Sequence, residues 1–402
     1  MGNEVSYAEP LATGKADLNR CLVCESTTLE DVVEFPLLER ITSDCRSFSA
    51  GGELAVCKNC GAVQKYPNAK WLSDIAKIYS RYAAYYQADG DEQIILDSRT
   101  GNIRRRSDVI LERLVGSYNL PSTGKALDIG CGSGVTLSAL SKVLPGWGLY
   151  GQDLDKRNEA RLSAIPGFVD IFDCAPGEIK GQYDLITLIH SLEHFPSPGA
   201  LLKSILAKLS PSGVLLVQVC NTVQNPYDLL IADHLLHFSA DTLQLLAENS
   251  GYKVKTVETE WVRKELSMIA TNSVQGRNAR LFGEAKGVDA LNRVRIQLKW
   301  LTAMKREAES EAGASDDFGI FGTSICATWL AGVMGKRVAF FVDEDTSRQG
   351  REYMGKPVFS PQQAPSHSKV YIALVPEIAA RVRDRMGYLP LQFILPPSFD
   401  QK

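Results

Sequence analysis

The stretch ALDIGCGSG, residues 126–134, constrains this chain more than any other nine residues in it. An apolar strand runs through Asp128, glycines follow at 130, 132 and 134, and the amphipathic run VTLSALSKVL then starts a helix. A turn this tight between strand and helix needs residues without a Cβ, and the helix start offers unpaired backbone N–H groups to a ligand. The spacing is G-x-G-x-G with an aspartate two residues ahead, against the G-x-G-x-x-G of a plain dinucleotide loop. Around it the segments KALDIG, GWGLYGQDLD, YDLITLIHS and SGVLLVQVC alternate with amphipathic runs. That alternation predicts an α/β fold built on a parallel sheet.

At 402 residues the chain exceeds one ordinary core, and its pattern divides it in three. Residues 1–80 are short on periodicity and hold four cysteines in two pairs. Residues 81–310 carry the glycine loop, and the charged helical run 289–314 leads out of this block. Residues 311–402 restart a strand, glycine turn, helix order with FGIFGTSICATWLAG. There Gly319, Gly322 and Thr323 form a loop after a strand, and Asp343 ends the next one, a weak dinucleotide signal by itself. A formal charge of −3 gives no global attraction to nucleic acid or anionic lipid. The one compact basic run, NIRRRSD (102–108), reads as a solvated helix face. No apolar run reaches the roughly 20 residues of a membrane span, and no signal-peptide core is visible. The expected location is the cytoplasm, with no nucleic-acid or membrane partner.

Nine cysteines without a secretory signal argue against a disulfide framework. CLVC (21–24) and CKNC (57–60) instead form a C-x2-C array repeated after 32 residues. Two thiolates two residues apart can face one ion from a tight turn, and two such turns complete a tetrahedral site. Cys21, Cys24, Cys57 and Cys60 are thus expected to hold structural Zn2+, with Cys45 a small packing residue. A redox CxxC pair is the competing reading.

The loop DIGCGSG resembles motif I of class I methyltransferases that use S-adenosylmethionine. The resemblance implies a cofactor site of Asp128, Gly130, Gly132 and Gly134. It places Asp153, in LYGQDLD, on the ribose hydroxyls in preference to Asp155, and Asp173, in FDC, near the adenine. YDLITLIHSLEHFPSP (183–198) matches the fourth strand and its loop, which brings His190, Glu193 and His194 to cofactor and substrate. A CxxC…CxxC module, this core and a second nucleotide-fold block together resemble the sugar C-methyltransferases over nearly the whole chain. The implied architecture is a central class I methyltransferase Rossmann-like domain, a small N-terminal zinc-binding module and a C-terminal Rossmann-like α/β domain that walls the substrate cleft.

In that family a Tyr-x-Glu-His segment followed by aromatic-Phe-Ser supplies active-site groups. IADHLLHFS (231–239) places His234 on the family histidine and Asp233 on its glutamate. His237 falls on the aromatic position, while Ile231 stands where the tyrosine would be. YSRYAAYYQ (79–87) resembles the family's tyrosine-bearing segment, with Tyr82, Tyr85 and Tyr86 as candidates. The catalytic set implied is His234, Asp233, His194 and Tyr82. The expected reaction is base-assisted methyl transfer to a carbon beside the ketone of a nucleotide-activated deoxysugar or related glycan precursor, with a histidine base oriented by a carboxylate. Ile231 keeps O-methylation of a sugar hydroxyl open. A zinc-module RNA methyltransferase and a non-catalytic scaffold are the remaining alternatives. A monomer or small homo-oligomer is expected.

Overall fold

The computed structural model describes residues 19–82, 92, 94–96, 103–272, 284–313 and 317–399. Tyr85 and Tyr86 lie outside these residues. At its centre is a seven-stranded sheet of β1 (Lys125–Ile129), β2 (Gly148–Gln152), β3 (Phe168–Phe172), β4 (Tyr183–Ile189), β5 (Leu209–Cys220), β6 (Tyr252–Glu258) and β7 (Glu265–Asn272). The spatial order is β3-β2-β1-β4-β5-β7-β6. The first five strands run parallel, and β7 pairs antiparallel with both β5 and β6. Strands β1, β4 and β5 read as near-continuous apolar runs because both faces of the sheet are covered. The strand order reverses between β1 and β4, so the crevice for ligands opens at their carboxyl ends.

The C-terminal block forms a second sheet. Its strands lie in the order Glu352–Tyr353, Lys356–Phe359, Phe340–Val342, Phe318–Phe321, Lys369–Tyr371, Gln392–Ile394. All neighbours in it are parallel except the first hairpin. The chain is thus the expected mixed α/β protein. Among the described residues no helix is long and apolar enough to cross a membrane.

The cysteine-bearing region makes a four-stranded sheet, and its last strand comes from elsewhere. Leu29–Asp31, Ala55–Cys57 and Val63–Gln64 are completed by Leu236–His237, which pairs antiparallel with Val63–Gln64. A bridge between Ile41 and Ile231 and the bond from Ala232 N to Ile41 O (2.7 Å) extend this join. The long helix Glu284–Ala312 packs against the 3-10 turn Pro226–Leu230 and the strand Ala55–Cys57. One core cluster accordingly contains Phe35, Ile41, Tyr227, Ile231, Leu301 and Trp329, drawn from all three sequence blocks. The C-terminal block touches the front of the chain through Trp329 Nε1, which donates to Glu39 O, and Tyr353 Oη, which donates to Cys45 O.

Candidate active site

The glycine loop has the geometry its sequence demands. Gly130, Gly132 and Gly134 all have positive φ (+75°, +49° and +80°), where a side chain is strained. A Cβ on Gly130 would come within 2.9 Å of Ser191 Cβ, and one on Gly134 within 2.3 Å of Leu162 Cδ2. A Cβ on Gly132 would meet nothing within 4 Å. The outer two glycines therefore allow close packing, and the middle one leaves open space on the crevice side. Asp153, just past β2, accepts a hydrogen bond from Gly132 N at 2.9 Å and another from Asp155 N at 3.1 Å. A carboxylate held over the loop by backbone amides can accept further hydrogen bonds from hydroxyl groups.

The other expected cofactor residues are placed differently from one another. Asp128 is only 2% exposed, and its carboxylate accepts from Thr187 Oγ1 at 2.6 Å. Burial pushes it up to about 7 against the pull of the Thr187 and Thr136 hydroxyls. It supports the loop from beneath and does not present its carboxylate to the crevice. Asp173 has a 62% exposed side chain paired with Lys156 at 3.3 Å. His190, at φ +50°, lies between Glu193 (3.3 Å) and Glu265 (3.2 Å). Burial and the Arg106 charge push its imidazole down, but the Glu265 and Glu193 carboxylates outweigh them and raise it to about 9.

The four front cysteines converge. Cys21 and Cys60 sulfurs are 3.6 Å apart, as are those of Cys24 and Cys57, and all four lie within 4.8 Å of one another. Each pair sits on a tight turn: Glu25 N donates to Cys21 O and Gly61 N to Cys57 O, with Glu25 and Gly61 both at positive φ. No disulfide can span these gaps, because its bonded sulfurs would be about 2.05 Å apart. Edges near 3.6 Å suit a tetrahedron with a metal–sulfur bond of roughly 2.3 Å. Cys45 belongs to a separate turn, donating its N–H to Thr42 O.

Beyond the ends of β4 and β5 lies a cluster of imidazoles. The rings of His194 and His234 meet edge to face with centroids 4.8 Å apart. His194 Nδ1 contacts Tyr79 Oη and Asp233 O, both at 3.1 Å, while burial and the nearby His234 push its imidazole down. Tyr82 Oη lies 3.3 Å from Ser43 Oγ, and the ring packs edge-on to Tyr79. The pairing expected between Asp233 and His234 is not what the chain builds. The Asp233 carboxylate accepts from Ser43 N (2.9 Å) and Ser43 Oγ (2.5 Å) and faces His194 Nδ1 at 3.4 Å. The carboxylate on His234 belongs to Asp228, with Oδ1 2.7 Å from His234 Nδ1 and Oδ2 3.0 Å from His237 Nδ1. The 3-10 turn Pro226–Leu230 presents Asp228 one turn earlier than the adjacent carboxylate the motif suggested. Among the described residues no hydrogen bond reaches His234 Nε2. An imidazole held at one nitrogen by a buried carboxylate, with the other unengaged, can accept a proton.

Sequence reasoning missed Asp228, Tyr79, Ser43 and Lys65. The first two had a local signal, since Asp228 lies six residues before His234 in an apolar run and Tyr79 opens the run that contains Tyr82. Tyr79 is delivered by the helix Ala69–Tyr79, which Asn68 caps by accepting from Trp71 N and which buries Trp71, Ile75 and Ile78.

A methyltransferase-domain family profile matches residues 101–257, and the parallel sheet reversing at a glycine loop, with Asp153 just past its second strand, agrees with a class I S-adenosylmethionine-dependent methyltransferase. The chain is such an enzyme and resembles the sugar C-methyltransferases. C-methyltransferase NovU of Streptomyces niveus is 24% identical over 402 residues, covering 89% of each protein. The ubiquinone biosynthesis O-methyltransferase of Bordetella avium is 30% identical over 116 residues, 27% of this chain and 46% of that relative, so the chain spans about half its length. Among solved structures, the 1,6-didemethyltoxoflavin-N1-methyltransferase of Burkholderia thailandensis is 20% identical, with TM-score 0.34, over 42% of this chain and 77% of that one.

Proposed function

We propose that the protein transfers a methyl group to the carbon beside the ketone of a nucleotide-linked keto-deoxysugar, with His234 as the base. The observation that supports this most is the buried imidazole of His234, fixed by Asp228 at Nδ1 and engaged by no other described residue at Nε2, next to the crevice at the carboxyl ends of β4 and β5. The match to a C-methyltransferase along 89% of both chains agrees with it. S-adenosylmethionine, when bound, supplies an electrophilic methyl group on sulfur. Gly132 leaves the space, and Asp153 offers the carboxylate, that such a cofactor needs. His234 Nε2 takes the α proton, and the C–H pair moves toward the carbonyl to give an enolate. Asp228 stabilises the imidazolium that results. Tyr79, held neutral because burial raises its hydroxyl well above the ordinary range, and Tyr82 are the nearby hydroxyls for the enolate oxygen. Cys21, Cys24, Cys57 and Cys60 hold structural zinc in this reading.

The test is exchange at the substrate carbon. Incubated in deuterated water with a panel of keto-sugar nucleotides, the enzyme should wash out the α hydrogen of its substrate and yield a C-methyl product by mass spectrometry. Methyl transfer without exchange would support the second reading, O-methylation. One observation favours that reading: Ile231 is 4% exposed and packed with Ile41, so no tyrosine-like hydroxyl is available there. Neither exchange nor transfer on any sugar nucleotide would sink both.

A further inference from the structure

Lys65 follows the strand Val63–Gln64 of the cysteine-bearing sheet, yet its side chain is buried, 1% exposed, beneath the histidine segment. Its ammonium nitrogen touches three acceptors: the carbonyl of Ile231, the carbonyl of His234 at 2.7 Å and His237 Nε2 at 3.3 Å. An ammonium has three protons and no lone pair, so each acceptor takes one. A lysine that donates to His237 Nε2 requires that nitrogen to be bare. The His237 proton must then sit on Nδ1, where it points at Asp228 Oδ2, 3.0 Å away. Asp228 is left with Oδ1 to accept from His234 Nδ1, and the proton of His234 is thereby placed on Nδ1.

We infer that Lys65 is a positioning residue that, through His237 and Asp228, fixes His234 as the Nδ1–H tautomer with Nε2 free to accept a proton. The relay runs in one direction because each member has a single consistent protonation pattern. Burial and the Lys65 charge hold the His237 imidazole down at about 4, which keeps it neutral. Burial pulls Lys65 itself down to about 7, opposed by the Asp228 and Asp233 carboxylates, so the ammonium that sets this pattern is present below that pH. The consequence for catalysis rests on His234 being the base of the proposed reaction, whereas the tautomer can be read without turnover.

The experiment is nitrogen NMR on the full-length, metal-replete protein with labelled histidine, near pH 6, where Lys65 keeps its third proton. The chain has five histidines, so single substitutions suffice for assignment. The wild type should show Nδ1–H, bare-Nε2 patterns for both His234 and His237. In Lys65→Met, His237 should shift to a mixture of tautomers, and His234 should follow it. Turnover should fall roughly 10- to 100-fold with cofactor affinity unchanged, and Lys65→Arg should restore part of it. Asp228→Asn gives an independent arm should Lys65→Met not fold, because its amide can donate to His234 Nδ1 and should drive His234 to the Nε2–H form. An unaltered His234 pattern in a folded Lys65→Met or Asp228→Asn protein would overturn the inference, as would an Nε2–H His234 in the wild type. The expected tautomers in a protein that methylates no sugar nucleotide would instead remove the proposed reaction and leave the relay standing.

Discussion

His190 is held by charge more than by shape. Its imidazole lies between the buried carboxylate of Glu193 and the half-buried one of Glu265, and its folded value near 9 exceeds the ordinary 6.5. A histidine raised in this way binds its proton more tightly in the folded state. Its contribution is fully present below pH 6.5 and is lost as pH rises through about 9. The shift corresponds to at most about 3 kcal/mol. Lys65 and Asp128, both near 7, titrate in the same window, so the informative quantity is the difference between two proteins. Against wild type, His190→Asn, which tolerates the positive φ, should lose most stability at pH 6 and progressively less toward pH 9.5. Denaturant melts across that range measure it, and a pH-independent difference would mean that His190 is not protonated in the fold.

At the scale of elements, the helix Glu284–Ala312 reaches the second cysteine turn through two glycines. A Cβ on Gly287 would lie 2.1 Å from the Lys58 carbonyl oxygen, and one on Gly61 would lie 2.9 Å from the Lys286 carbonyl oxygen. Helix propensity alone favours alanine over glycine at position 287 by about 1 kcal/mol. Here the clash is with backbone, which cannot swing aside, so the sign inverts. Gly287→Ala should destabilise the protein by about 2–4 kcal/mol, read from chemical denaturation. A neutral or stabilising result would show that the helix does not seat on this turn. The same contrast explains what was legible in the sequence. The G-x-G-x-G loop and the CxxC pairs are local devices, whose spacing states the turn they make. Asp228 as the partner of His234 was hidden because the adjacent Asp233 looked equivalent in one dimension. Only the 3-10 turn at Pro226–Leu230 decides which carboxylate faces the ring. Lys65 was less legible still, since nothing near GAVQKYP indicates that its nearest acceptors lie 166 and 169 residues away.

For the whole molecule, the decisive feature is that the cysteine-bearing sheet is completed by the strand Leu236–His237. The two catalytic candidates of the histidine segment are therefore anchored from the front of the chain. Lys65 N donates to Leu235 O, Lys65 Nζ bonds the 231 and 234 carbonyls, and Trp71 Nε1 donates to Ala232 O. The proposed zinc at Cys21, Cys24, Cys57 and Cys60 belongs to this same sheet, because Cys57 ends the strand next to Val63–Gln64. A metal that closes two turns contributes to folding whatever those turns support. One zinc per chain is expected on metal analysis. Its removal by a chelator should speed amide hydrogen exchange at residues 21–26 and 57–65 and, in the same step, at residues 231–237. The loop-bearing strand Lys125–Ile129, enclosed by its own sheet, should keep its protection, and cofactor affinity should fall far less than turnover. Protection retained at 231–237 in the metal-free chain would uncouple the cysteine turns from the active-site segment.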